Sequence, residues 1–564
     1  MKVLLIQPPI QDFYYTSIRT QPIGLAYIAS SLREDGHEVG ILDCRADRKR
    51  AIPIPPELFY LKEFYPFNDR SPFALYSGYY HFGMSWEQIR QEIVRADADV
   101  YGISSGFTPY HGEALKVADM VKRWDARKIV IMGGAHVSAD PEGVLKSPLV
   151  DYVVLGEGER LLPLLLKALE KNGKAAIDGI GCRKNGEIAV PPAVSFIDNL
   201  DAVPFPARDL LDPDSYRIGK KRSTMIITSR GCPHRCAYCS AHRTMGTTFR
   251  KRSPMNIIEE MKECRERYDM QAFDIEDDNF TFDRERARQL MALIVATFGQ
   301  ERLELSAMNG ISSASLDGDL LKAMKAAGFK TVNLSFVSAD PSVKERTRRP
   351  AAGAGFDEIL EEAEQCGLRV TAYGIFGMPG QRIEEMVDTL ICLMGKRVLI
   401  GPSVYYPTPG TPLFEKCKED GLLPCHPSQW RSTAFPIQTG DFDRLDLLTL
   451  FRLTRTVNFI KGKMEEKMFD EGMTWRELLQ VLVERKAEFK PGKPCLMSGA
   501  LCGKGDALRW IDLLLLLFTE RAFFSLKKDS KGSLLAMKEK SSKRVLDYFF
   551  ERAWGSPVLK SRNE

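Results

Sequence analysis

The chain has 564 residues, 44% hydrophobic and 27% charged, with a formal net charge of +4. That is too long for one core, so about three domains are expected. The composition is that of a soluble globular protein, and no Lys/Arg block marks a nucleic-acid footprint. Twelve cysteines, mostly isolated, together with a start that does not read as a signal peptide, point to a reducing cytoplasm. No run of about 20 apolar residues occurs, so no membrane span is expected.

The first segment, 1–195, alternates strands and helices. Lys2–Ile6 is a short apolar run of the kind buried in a parallel sheet. Gly24–Leu32 has helical spacing and ends at Asp35-Gly36. Further strands are expected at Val39–Asp43, Asp99–Ser104, Lys128–Met132 and Asp151–Leu155, with a helix over Glu113–Trp124. This alternation predicts a doubly wound, Rossmann-like parallel sheet, whose ligands sit beyond the carboxyl ends of the strands. Those ends carry Gln7-Pro8, Ser104-Ser105, Gly133-Gly134-Ala135-His136 and Gly156-Glu157-Gly158. An aromatic-rich insertion interrupts the segment at about 45–85. It reads either as a lid on the sheet edge or as a pocket wall, and the second reading is preferred because long ordered loops at ligand ends are often functional.

A Pro-punctuated stretch, Asn199 to Arg208, marks a boundary. Six strand-like runs follow in 196–430: Thr224–Thr228, Ala272–Glu276, Leu303–Ala307, Thr331–Phe336, Arg369–Phe376 and Val398–Tyr405. Helical patterns separate them. The pattern predicts a (β/α)6 partial barrel with its active site at the strand C-terminal ends. The end of the first strand carries Ser229-Arg230-Gly231-Cys232-Pro233-His234-Arg235-Cys236-Ala237-Tyr238-Cys239, a C-x3-C-x2-C spacing. Three thiolates so close repel each other unless a cation neutralises them. Zinc usually takes a fourth ligand, and no second close Cys pair follows. Three cysteines can instead hold three irons of a [4Fe–4S] cluster and leave the fourth open.

This loop resembles that of the radical S-adenosylmethionine (SAM) superfamily, including the aromatic residue before the last cysteine. The resemblance implies that Cys232, Cys236 and Cys239 are the cluster ligands and catalytic residues. The open iron would chelate SAM, and an electron would cleave it to a 5′-deoxyadenosyl radical. Tyr238, Asp277, Asp278, Asn309, Ser335, Gly377 and Pro379 become the SAM-side candidates. Family members often place a Glu in a Gly-x-Glu-Ser setting after strand four; here Ser335-Phe336-Val337-Ser338 departs from it. Pro22-Ile23-Gly24-Leu25, Gly36-His37-Glu38-Val39, Gly133-Gly134-Ala135-His136 and Gly156-Glu157-Gly158-Glu159 resemble the cobalamin-binding domain found ahead of many radical SAM domains. The implied cobalamin contacts are Gln7, Pro8, Gly24, Ser104, Ser105, Gly133, Gly134, His136, Gly156, Glu157 and Gly158. Asp35-Gly36-His37-Glu38-Val39-Gly40 also matches a pattern that supplies a lower axial His in some cobalamin proteins. It falls between the first helix and the second strand rather than after the first strand, so it is read as coincidence.

The last segment, 431–564, reads as mostly helical, with amphipathic helices over Leu445–Phe459 and Trp475–Val483. Asp512–Phe518 is too short to span a bilayer and reads as a core helix; the alternative is contact with an apolar substrate or a membrane surface. The lysines at 527, 528, 531, 538, 540 and 543 read as a solvated face. Cys495 and Cys502 are spaced too widely for a clear second metal site.

Together the resemblances imply a cobalamin-dependent radical SAM enzyme that moves a methyl group from methylcobalamin to an unactivated carbon of a small or lipid-like substrate. A flavodoxin or ferredoxin would supply electrons. The alternatives are a rearrangement, cyclisation or C–C coupling with the same cofactors, and a non-catalytic cobalamin sensor or carrier. A methylthiolating RNA enzyme would show a further cluster domain and an RNA-binding β-domain, and neither pattern is visible.

Overall fold

A computed structural model describes residues 1–14, 21–45, 49–171, 177–184, 186–191, 195–299, 301–350, 355–488, 507–530 and 534–561. Cys495, Cys502 and Lys531 lie outside them. The N-terminal sheet contains β1 (Lys2–Gln7), β2 (Glu38–Asp43), β3 (Val100–Ser104), β4 (Ile129–Gly133), β5 (Tyr152–Val154), β6 (Ile180–Lys184) and β7 (Glu187–Ala189), in the order β7-β6-β5-β4-β3-β1-β2. The five strands from β5 to β2 are parallel, as the alternation of elements requires. The antiparallel pair β6 and β7 extends one edge and was not foreseen. Near-continuous apolar strands such as β1 and β3 are buried between two helical layers, with one cluster around Ile103 and Val130 and another around Leu5 and Ile131.

The barrel strands are β8 (Lys221–Ile226), β9 (Ala272–Ile275), β10 (Glu304–Ser306), β11 (Thr331–Val337), β12 (Arg369–Phe376) and β13 (Leu399–Val404). Parallel ladders join β8 to β9 and β9 to β10, and β11 to β12 and β12 to β13. Parallel bridges Leu305–Phe329 and Ile311–Leu334 link the two halves. Helices Pro254–Tyr268, Arg284–Phe298, Gly318–Ala327, Phe356–Gln365 and Ile383–Met394 cover the outside. Ser253, Asp283 and Asp317 cap three of them through side-chain oxygens, each satisfying backbone N–H groups that the first turn leaves unpaired.

The two ends of the insertion, Lys49–Ala51 and Tyr80–Phe82, form a small antiparallel sheet with Ile10–Asp12, the segment that follows β1. Leu58, Leu61, Tyr65, Phe73 and Tyr79 are buried in the same cluster as the barrel and the C-terminal segment. Tyr60 donates to the carbonyl of Ala434, Tyr65 to that of Thr433, and Asp69 accepts from the backbone of Leu526. The C-terminal segment contains helices Arg444–Glu465, Trp475–Glu488, Ala507–Glu520 and Lys543–Ala553, and a hairpin of β14 (Phe524–Lys528) and β15 (Leu534–Lys538). Lys528, Lys538, Lys540 and Lys543 are exposed, as a solvated face requires; at that surface Lys538 pairs with Glu520, and Lys540 with Glu63 of the insertion.

Helix Ala507–Glu520 is core, as expected of Asp512–Phe518. Leu514 is fully buried, and Phe518 packs edge-on to Trp475 at 5.6 Å. Leu514→Ala removes a side chain that the surroundings cannot refill. It is expected to cost about 2–5 kcal/mol, read as a lowered urea midpoint at unchanged slope.

Candidate active site between sheet and barrel

The cysteine loop leaves β8 through a turn that tolerates little else. Gly231 has φ +83°, and a Cβ there would lie 2.3 Å from the carbonyl oxygen of Thr248. The loop is pinned from three sides. Cys232 N–H donates to Gly246 O (3.3 Å), Ala237 N–H to Thr347 O (2.8 Å), and Leu413 N–H to Ala237 O (3.0 Å). Burial raises the Cys232 thiol, and raises that of Cys239 to about 11. In this environment thiolates need a cation. Among the described residues no three His, Cys, Asp or Glu side chains converge on a single-ion site. A cube of four irons and four sulfides instead needs its cysteines spread around it. Tyr238 Oη is buried without a partner, an orphan that marks space for a further group beside the thiols. These residues fit a [4Fe–4S] cluster held by Cys232, Cys236 and Cys239.

The Asp277 carboxylate accepts from Thr228 N (2.6 Å), Thr228 Oγ1 and Ser229 Oγ (2.6 Å), and it is buried. It fixes the chain that leads into the cysteine loop. It does not cap the following helix, which Asp283 does. Asp278 accepts from Gly231 N (3.1 Å), and burial raises it to about 6. Asn309 donates to Glu276 (2.8 Å), whose carboxyl burial and Asp274 push up to about 7. Val337 is fully buried at φ +71°, in a bulge of β11 that leaves Ser335 half-buried. A β-branched residue there is strained. Gly377, at φ +81°, starts the turn carrying Pro379; a Cβ on it would meet Leu447 at 2.8 Å.

At the carboxyl edge of the N-terminal sheet, Gly134 (φ +114°) passes the Ser105 carbonyl so closely that a Cβ would lie 2.8 Å from it. Gly156 has φ +71° and donates to Ser138 Oγ (2.9 Å). Gln7 donates to Asp43 (3.4 Å), and the Pro8 carbonyl accepts from Arg45 (3.0 Å). Gly24 lies in the first turn of helix Ile23–Glu34 with open space at its Cβ position. Ser104 and Gly133 end paired strands, and Gly158 begins the next helix. The His136 and His111 rings pack at 4.4 Å, tilted by 55°; their Nδ1 atoms contact Thr108 Oγ1 (3.1 Å) and Ser105 Oγ (3.0 Å). His37 lies at the opposite edge, with Nδ1 3.3 Å from the amino group of Met1. Small residues and neutral rings of this kind fit a bulky corrin and its nucleotide tail.

The Glu157 side chain is buried between Arg230 (2.9 Å) and Arg250 (2.9 Å), and it also accepts from Ile197 N (2.6 Å). Arg230 reaches Glu159 as well (2.7 Å). A second lock joins the two edges. Arg431 donates to the Pro109 carbonyl (3.0 Å) and lies 3.2 Å from Asp12, which accepts from Tyr110 (2.6 Å). Four loops at strand ends carry exposed apolar side chains: Phe107 after β3, Phe282 after β9, Met308 after β10 and Tyr406 after β13 are each more than 40% exposed. Arg230, Arg250, Arg431 and Tyr110 escaped the sequence reading. Only Arg230, adjacent to the cysteine loop, carried a local signal.

Residues 226–393 match the radical SAM superfamily, and residues 78–166 the B12 binding domain. The chain is 29% identical over 430 residues to an uncharacterized methyltransferase of Pyrococcus horikoshii, covering 75% of this chain and 84% of the relative. It is 28% identical to cytidylyl-2-hydroxyethylphosphonate methyltransferase of Streptomyces wedmorensis, covering 77% and 84%. The fold is similar to that of the radical SAM methyltransferase TsrM of Kitasatospora setae, with cobalamin and a [4Fe–4S] cluster bound: TM-score 0.58, 18% identity, covering 77% of this chain and 84% of that one.

Burial lowers His136 to about 4, and burial with the neighbouring His136 lowers His111 to about 3, from an ordinary 6.5. The folded state therefore binds fewer protons than the unfolded chain below pH 6.5. This contribution to stability is complete above 6.5 and is lost as pH falls through about 4 for His136 and about 3 for His111. The urea midpoint is expected to fall over that window, and less steeply in a His111→Asn/His136→Asn variant. Equal slopes would contradict buried neutral rings.

Proposed function

We propose, from the premise that this chain belongs to the radical SAM enzymes that carry a B12-binding domain, that it is a cobalamin-dependent C-methyltransferase acting on an unactivated carbon. The observation that carries this reading is the apposition of two ligand edges. The cysteine loop at the end of β8 and the glycine-rich ends of β4 and β5 are joined by the Glu157 ion pairs. When bound, the cluster with SAM supplies a 5′-deoxyadenosyl radical and methylcobalamin supplies the methyl group. The chain's own part is positioning. Cys232, Cys236 and Cys239 hold the cluster, and Asp278, Asn309 and Ser335 offer polar groups at the barrel mouth. Gly134 and Gly156 admit the corrin tail. Phe107, Phe282, Met308 and Tyr406 keep water from the space between. The methyltransferase names of both curated relatives support methyl transfer over the other radical outcomes. The substrate is a small molecule, and an external one-electron donor serves the cluster. No helix among the described residues is long and apolar enough to cross a membrane.

Anaerobic reconstitution is expected to load about four irons per chain and to yield 5′-deoxyadenosine from SAM. Replacing Cys232, Cys236 and Cys239 together by Ala is expected to abolish both. Full iron retention in that variant would overturn the assignment. Label from methyl-deuterated SAM in bound cobalamin, and then in product, identifies methyl transfer.

A further inference from the structure

One cation reaches the cysteine sulfurs from outside their loop. Arg349 Nη1 lies 4.0 Å from Cys236 Sγ, and its Nη2 donates to the Ser335 carbonyl at 3.2 Å. The backbone is built to hold it there. Helix Pro341–Arg346 ends in a turn where Thr347 O accepts from Ala237 N (2.8 Å) and Arg349 N donates to Lys344 O (2.9 Å). Between them Arg348 takes φ +52°, a left-handed conformation that an arginine enters only at a cost. That turn sends residue 349 back toward the cysteine loop. The half-buried Arg349 has no carboxylate partner among the described residues, whereas the buried arginines near the loop, Arg230 and Arg250, are paired with Glu157. On the other side Asn279 Nδ2 donates to Cys232 Sγ at 3.6 Å. It is neutral, so Arg349 is the one charged donor to the three sulfurs among the described residues.

Three thiolates around a [4Fe–4S]2+ core leave one net negative charge, and reduction makes it two. A positive charge about 4 Å from a thiolate, in a site of low dielectric, favours the more negative state. Donors to cluster sulfurs and local net charge both set the potential of such clusters. We propose that Arg349 raises the reduction potential of the cluster through Cys236, with Asn279 adding a smaller effect of the same sign through Cys232. The inference rests on the reading that Cys232, Cys236 and Cys239 hold a [4Fe–4S] cluster. The step is a one-electron uptake, [4Fe–4S]2+ to [4Fe–4S]1+, with the electron supplied by dithionite in the assay; no covalent bond changes. Arg349 is a tuning residue and takes no part in bond making.

The test is a redox titration of the full-length, reconstituted protein without SAM, followed by the electron paramagnetic resonance signal of the reduced cluster. Iron is counted in each sample. Arg349→Gln and Arg349→Ser are expected to keep the parental iron content. At a fixed poise their ratio of reduced to oxidised cluster is expected to fall about tenfold, which is about 59 mV for a one-electron couple. Arg349→Lys keeps the charge without the planar fork and is expected to recover most of the shift. Asn279→Ala is expected to shift the same way by less. Parental midpoints in both neutral variants overturn the proposal, as does weakened SAM binding at an unchanged midpoint. Loss of iron in both neutral variants with full iron in Arg349→Lys also overturns it, making Arg349 a clamp. A parent that itself fails to hold four irons contradicts the cluster reading instead.

Discussion

The arrangement depends on one buried carboxylate. Glu157 follows β5 of the N-terminal sheet, and the two arginines that flank it belong to the barrel. With Glu159 completing the set, two acids face two bases, so the cluster is neutral as a whole. Removing one partner from such a buried set costs about 3–5 kcal/mol, because the remaining charges stay in the interior unpaired. Replacing a pair by apolar groups can be neutral. The ion pairs are therefore better understood as fixing register than as a source of stability. The register matters because Arg230 is two residues from Cys232. Whatever holds Arg230 also fixes where the cysteine loop begins relative to the glycine-rich strand ends.

Two further groups repeat the principle at a distance. Arg208 and Arg252 enclose the fully buried Glu260. Burial alone would raise that carboxyl, and the two arginines outweigh it and hold it low. Tyr27 of the N-terminal segment joins this group through a hydrogen bond from Arg252. Arg431, in the segment after the barrel, ties the loops after β1 and β3 to the same body. Sheet and barrel are thus joined by charged groups that each need a specific partner, which restricts sliding more than apolar contact would. The insertion and the C-terminal helices complete the unit. They bury Tyr65, Phe435 and Trp475 in one continuous cluster with the barrel.

Much of this was legible in the sequence because it is local. The barrel strands and helices announce themselves through short β-branched runs separated by segments of helical period, and the observed bounds of Arg369–Phe376 coincide with the expected strand. The cysteine spacing is equally local. What was lost is pairing across long separations. Glu157 stands at a strand end, where ligands gather, and nothing near it in the chain reveals that Arg230, 73 residues on, claims its carboxylate. The partners of Asp277 were hidden for the same reason, since its donors at Thr228 and Ser229 lie 49 and 48 residues away. The aromatic insertion was legible as ordered from its composition. Its docking surface was not, because the face an apolar segment buries is decided by the partner it meets. The hairpin of β14 and β15 was hidden by lysines that suggested a solvated tail.

The central claim is that the two cofactor edges are held in one fixed geometry by the Glu157 ion pairs. The most direct measurement is pulsed dipolar spectroscopy between bound cobalt(II) and the reduced iron–sulfur cluster. The account predicts a single narrow distance distribution in the parent protein and a broadened one in Glu157→Ala at full loading of both cofactors. A broad distribution in the parent, or an equally narrow one in Glu157→Ala, would contradict it.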